Sequence, residues 1–279
     1  MAVQSTERDF WERRAPAWER RAETLNHFSD TYGIPAIEAL APGPGERILD
    51  VGCGPGTTVV ELARRVGPTG EVVGVDIAPG MVAAAERRAA DRGITNVRFV
   101  VADAEIDPIE GAYDGVYSRF GVMFFTDPIT AFANLAQSLH PGGRLACVVW
   151  GPLVDNPWMF VPTLAAFGVL QGELTIPGPE EPGPFSLADP DRVTTVLERA
   201  GFSDIAIERI AGVRNITPTT IDDDLTTLLE IGPLNEAYDS ADDDTRRAAL
   251  DAVVEALEPY RDGGGWRLPG SALVVTARH

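Results

Sequence analysis

The chain has 279 residues, 44% of them hydrophobic, which bounds it to one α/β domain with additions, or to a core carrying a small cap. Its 42 acidic and 23 basic residues leave a formal net charge of −19 with no segregated basic block, a surface that repels nucleic acid and anionic membranes. All 23 basic residues are arginine, and the absence of lysine rules out Schiff-base chemistry and a P-loop lysine.

No run of about eighteen apolar residues occurs, so no transmembrane helix is expected. The start, MAVQSTERDFWERRAPAWERR, is charged and lacks an apolar h-region, so it does not read as a signal peptide, and a cytoplasmic location is expected. Cys53 and Cys147 have no metal-ligand spacing, and His27, His140 and His279 are scattered. Neither a disulfide nor a metal site is expected.

Residues 5–40 have helical spacing of Phe10, Trp11, Ala17, Trp18, Ala22 and Leu25, with breaks expected at Pro16 and Pro35. After the turn-rich APGPGE, strands and helices alternate: strand 47–51, helix 57–66, strand 71–77, helix 81–92, strands 96–103 and 112–118, helix 128–139. The HPGG at 140–143 reads as a turn into strand 144–150. Beyond Trp150 lies a stretch rich in proline and glycine, then helix 187–201 and strand 203–210. Residues 221–262 read as an inserted helical piece with a stripe of Leu250, Val253, Val254 and Leu257, and 270–278 as a last strand. The strands are rich in Val, Ile and Leu without strict alternation, as in a parallel sheet buried on both faces. The βαβ order gives a doubly wound fold of seven mostly parallel strands. The expected divisions are a helical arm or lid (1–40), a core (41–150), an insertion (151–186), a core continuation (187–213), a helical cap (214–265) and a final core strand (266–279).

The glycine loop after the first strand decides the cofactor. A dinucleotide fingerprint needs a third glycine three positions after the second, and that position is Thr57. GPGTT lacks the Lys-Ser/Thr of a Walker A loop. The spacing is instead Gly52, Gly54, Gly56, with Asp50 before it. Asp76, ending the second strand, suits a ribose with two free hydroxyls. An adenosine group without phosphates fits these features, and S-adenosylmethionine is such a ligand.

LDVGCGPG, VVGVDIAPGM, VADAE and HPGGRL, in this order and spacing, resemble the class I S-adenosylmethionine-dependent methyltransferases, in the small-molecule branch similar to quinone-biosynthesis enzymes. The likeness covers residues 46–150 and implies a Rossmann-like fold. It implies that Gly52, Cys53, Gly54 and Gly56 let the backbone approach the methionine part of the cofactor while Asp50 holds its amino group. Asp76 takes the ribose hydroxyls, Ile77 and Met81 pack on adenine, and Asp103 and the Ala104 N–H serve its polar edge. Ser118 and Arg119 lie beside the methionine moiety and the acceptor.

Several assignments have two readings. Arg119 is either a structural ion-pair partner or a partner of the cofactor's carboxylate. His27 is either a surface residue or a general base. Phe120 and Met123 are either core or pocket wall, and Trp18, Trp150 and Trp158 are candidate apolar walls of the acceptor site. The implied function is methyl transfer to oxygen or carbon of a small molecule: a phenol, a quinone or a polyketide-like product of secondary metabolism. A cyclase or isomerase that retains S-adenosylmethionine without transferring methyl is the alternative, and a non-catalytic binding protein is a third reading. A nucleic-acid or amide-nitrogen methyltransferase is disfavoured by charge and because the fourth strand reads YSRFGV where an Asn-Pro-Pro-Tyr-like motif would stand. The expected partner is a small-molecule substrate, with neither nucleic acid nor membrane, and a homodimer is compatible with the sequence.

Overall fold

The computed structural model describes residues 2–171 and 173–279, with side chains from Glu7 onward. Its non-alternating apolar runs become strands: β1 (Arg47–Val51), β2 (Glu71–Asp76), β3 (Val97–Val101), β4 (Tyr113–Arg119) and β5 (Leu139–Trp150) pair in parallel in the order β3-β2-β1-β4-β5. β8 (Gly265–Arg278) runs antiparallel to β5, from Arg144 opposite Arg278 to Trp150 opposite Ala272, and β6 (Ser203–Ile216) lies beyond it. This is the expected seven-strand path, with one addition. The two-residue β7 (Arg261–Asp262) pairs with β8 and makes an eighth strand.

Two compact units make up the chain. The first joins Met1–Gly151, Gly178–Ile210 and Ala272–His279; the second joins Pro152–Pro177 and Ala211–Ser271. In the first, chain order runs outward from β1 toward β3 on one side and from β4 onward on the other, so the carboxyl ends of β1 and β4 form a topological switch point. Helices α3 (Thr57–Val66), α4 (Pro79–Asp91), α5 (Pro128–Gln137) and α7 (Pro190–Arg199) belong to this unit. α3 buries Val59, Val60, Leu62, Ala63 and Val66 at helical spacing. Asp127 caps α5 by accepting from the Ile129 and Thr130 N–H groups, and Pro128 needs no donor there.

The arm forms α1 (Ala2–Arg20) and α2 (Ala22–Leu40), and the breaks expected at Pro16 and Pro35 are absent: each proline lies inside a helix, and the break falls at Arg21. Each proline forfeits one helical hydrogen bond. Burial of Ala15, Ala17, Tyr32, Ala36 and Ile37 around them offsets the loss. The strand expected to begin at 144 begins instead at Leu139, so the HPGG lies within β5. There the N–H of Gly142 donates to His279 O and the N–H of His279 to Gly143 O, while Gly142 keeps a left-handed φ of 81° and the register against β4 jumps from Leu139 to Arg144, so the HPGG forms an irregularity inside the strand.

In the second unit the segment expected to be irregular contains α6 (Pro157–Leu170), apolar over nearly its whole length and packed on α10 (Asp243–Ala256) and α8 (Ile221–Ile231). α9 (Asn235–Ser240) follows α8. The expected stripe on α10 buries Val253 and Leu257 fully, and Asp242 caps that helix through the Thr245 N–H at 2.8 Å.

Candidate active site

The site is built at the switch point of the first unit. Gly52, Gly54 and Gly56 all adopt left-handed φ, of 65°, 52° and 80°. A Cβ on Gly56 would sit 2.8 Å from the Ala85 Cβ, and one on Gly52 would sit 3.0 Å from the Gly121 Cα. The loop therefore has no room for a side chain at Gly52 or Gly56, while Gly54 has open space but a left-handed backbone, and bare backbone lies between β1 and α3. The N–H groups of Gly52 and Cys53 both donate to Val75 O, at 2.9 and 3.0 Å, which fastens the loop to β2.

Two carboxylates flank it. Asp50 is fully buried; its Oδ2 accepts from the Thr58 hydroxyl, while its Oδ1 has no partner among the described residues. Burial pushes its carboxyl up to about 7; the Thr58 hydrogen bond and the Arg119 charge oppose this, and Asp76 adds to it. Asp76 accepts from the Gly54 N–H at 2.9 Å through Oδ2 and from the Ala78 N–H at 3.0 Å through Oδ1. Each oxygen retains a second lone pair for another donor. Desolvation raises Asp76 to about 6 against those N–H groups, and Glu12 adds to the rise.

α1 lies along this cradle. Glu12 accepts from the Gly80 N–H at 2.8 Å, at the N-terminus of α4, where a carboxylate complements the helix dipole. Trp11 and Trp18 pack on Ala15, Ala78 and Met81. Glu19 pairs with Arg87, and Glu23 with Arg88 and Arg92. Burial raises Glu7, with further contributions from Glu105 and Asp103, so the first turns of the arm reach the loop after β3.

Arg119 joins arm, strand and loop. Its Nη1 donates to Asp30 at 2.8 Å, and its Nη2 to Asn26 Oδ1 at 2.9 Å and to the Thr57 hydroxyl at 2.7 Å. Arg119 is thus an ion-pair partner of Asp30. Asn26 in turn donates to Asp30. Behind this network, Phe120 stacks on Trp150 at 3.7 Å and 10°, and the Tyr32 ring meets Trp150 edge-on at 5.3 Å.

The remaining expected site residues separate. Ile77 is half-buried after Asp76, and Asp103 accepts from the Glu105 N–H at 3.0 Å. Ala104 is buried, with its carbonyl bound by Asn134 at 2.9 Å. Cys53 is buried, and desolvation holds its thiol well above the usual range. Ser118 is turned inward, donating to Val51 O at 2.7 Å, so its hydroxyl ties β4 to β1 and does not face the crevice. Met123 is core: its sulfur accepts from the Trp150 N–H, and its carbonyl from the Ser186 hydroxyl and the Gly183 N–H. Trp18 falls beside Ala78 and Met81, apart from the Phe120–Trp150 stack. Trp158 belongs to the second unit, donating to Asn156 Oδ1 at 3.1 Å with Arg214 over its ring.

His27 has the surface placement, one of the two readings given for it. α2 turns Asn26 and Asp30 toward Arg119 and Phe28 and Tyr32 toward Trp150, which leaves His27 exposed. The sequence reading missed Tyr32, Thr58, Glu12, Asn26 and Asp30. Only the i, i+4 spacing of Asn26 and Asp30 was available as a signal for that pair.

Residues 48–143 match the family model described as a methyltransferase domain. That segment runs from β1 into β5, so the glycine loop, Asp50, Asp76 and Arg119 all lie inside the matched methyltransferase domain. Among curated proteins the chain is 38% identical over 120 residues to aklanonic acid methyltransferase DauC from Streptomyces sp. (strain C5), covering 43% of this chain and 54% of that one. It is 38% identical over 154 residues to demethylmenaquinone methyltransferase from Thermus thermophilus, covering 55% and 59%. The chain thus spans a little over half the length of these two relatives. Among solved structures it is similar to the YcgJ protein from Bacillus subtilis, with a TM-score of 0.57 at 19% identity over 88% of this chain and 97% of that one, a likeness of fold.

Proposed function

We propose that the protein transfers methyl from S-adenosylmethionine to an oxygen or carbon atom of a small-molecule acceptor, a phenol, quinone or polyketide-like compound. The observation that carries this is the orphaned Asp50 Oδ1, buried beside three left-handed glycines at the switch point. A buried carboxylate oxygen without a partner is costly, and a ligand ammonium removes that cost. The relatives named above act on aklanonic acid and demethylmenaquinone by their names, and the quinone in the second name supports an oxygenated ring as acceptor.

When bound, the sulfonium supplies an already activated methyl group. The chain's part is to hold, orient and exclude water, and such approximation contributes about 7–11 kcal/mol. Asp50 holds the amino group, Asp76 the ribose hydroxyls, and Ile77 and Met81 the adenine faces. Asp103 and the Ala104 N–H hold the polar edge of adenine, and the Gly52–Gly56 backbone lets the amino-acid tail approach. Arg119 keeps α2 against the loop, so that the arm covers the cofactor. A phenol or enol acceptor needs little base assistance, which accords with His27 lying at the surface.

The test is incubation with methyl-labelled S-adenosylmethionine and a panel of phenols, quinones and aromatic polyketides, read by mass spectrometry. A product heavier by one methyl group, with equimolar S-adenosylhomocysteine, is expected. A rearranged product of unchanged mass with intact cofactor would replace transfer by cyclisation, and no cofactor binding at all would end both readings.

A further inference from the structure

Tyr32 carries a polar group that neither the fold nor the cofactor reading uses. It is fully buried in α2, and its Oη has no hydrogen-bond partner among the described residues. Leaving a phenol unpaired inside a protein is unfavourable, and such groups persist where a ligand completes them. Desolvation pushes this phenol up to about 12, so it stays protonated and is a donor throughout the physiological range.

Its surroundings define what it can donate to. Three rings enclose Tyr32: Phe28 at 5.6 Å, Phe120 at 6.2 Å and Trp150 at 5.3 Å, each edge-on to it. Phe120 follows the last residue of β4 and Trp150 ends β5, so the cluster sits at the carboxyl edge of the sheet, beside the Arg119 network that borders the glycine loop. Phe120 holds a left-handed φ of 60°, a strained conformation for a side-chain-bearing residue that directs its ring onto Trp150. A flat apolar body carrying one hydrogen-bond-accepting oxygen matches both the walls and the donor.

We propose that Tyr32 is an acceptor-binding residue: its hydroxyl donates to a carbonyl or phenolic oxygen of a planar aromatic acceptor that lies against the Phe120–Trp150 stack. This rests on the methyl-transfer reading, because it places the acceptor next to the cofactor loop. It adds the residue that orients the acceptor, and it favours oxygenated rings over amines.

The test compares wild type with Tyr32→Phe, which keeps the ring and removes only the hydroxyl. Titration calorimetry with S-adenosylhomocysteine comes first, and both proteins are expected to bind it within about twofold; failure of the wild type here would strike the cofactor reading. With that ligand saturating, binding of 1-naphthol and 1,8-dihydroxyanthraquinone is measured. At least one is expected to bind, and about tenfold more weakly to the variant, the size of a net hydrogen bond. The unliganded variant is expected to melt at the same temperature as wild type or higher, since an unsatisfied group has gone. Equal probe affinities, no binding of either probe to the wild type, or a lower melting temperature in Tyr32→Phe would each overturn the assignment.

Discussion

Asp50→Asn separates the cost of a buried carboxylate from its use. In the folded, ligand-free protein the Asp50 carboxyl lies at about 7 against an ordinary 3.8, with desolvation as the first cause. A rise of that size corresponds to about 4 kcal/mol between the protonated and ionised forms. Because the folded value lies above the unfolded one, the contribution is fully present below about pH 4 and is lost as pH rises toward about 7. Asp76, raised to about 6, acts with the same sign. Asparagine cannot ionise, so the loss assigned to Asp50 disappears, although its amide leaves orphaned donors worth about 1–3 kcal/mol. Above pH 7 the ligand-free variant is therefore expected to exceed wild type by about 1–3 kcal/mol, while below pH 5 it is equal or weaker. Urea denaturation between pH 4.5 and 8 measures this. The same variant should bind S-adenosylhomocysteine at least tenfold more weakly, since a charge-assisted bond to the ammonium is lost. Stability curves that run parallel for the two proteins across this range would refute the reasoning.

Gly56→Ala forces a side chain onto a φ of 80° and within 2.8 Å of Ala85, so a loss of about 2–4 kcal/mol in thermal or urea unfolding is expected, with cofactor binding lost in parallel. Arg119→Met removes the donors to Asp30, Asn26 and Thr57; stopped-flow measurement is expected to show cofactor release about tenfold faster, and unfolding to fall by about 1–3 kcal/mol. His27→Ala should leave kcat/KM within about twofold of wild type once an acceptor is in hand, because the imidazole is exposed and outside the Arg119 network.

Much of the framework was legible in the sequence because it depends on local pattern. Non-alternating runs such as RILDV and EVVGVD mark strands covered on both faces, and the order in which they alternate with helices admits few topologies. The Gly52–Gly56 spacing needs left-handed backbone, and the strand ends place Asp50 and Asp76 beside it, so the cofactor cradle followed from positions close in the chain. What only the tertiary structure decided depends on side chains far apart in sequence. Arg119 finds Asp30 from 89 positions away, Ser118 turns its hydroxyl to Val51 and not to the crevice, and the phase of α2 buries Tyr32 against Trp150 while exposing His27. Periodicity shows that a helix has a buried face, but partner elements determine which polar groups on that face are paired and which are left waiting. That is why the glycine loop and its flanking carboxylates could be read from residues alone, and the aromatic wall and its unpaired phenol could not.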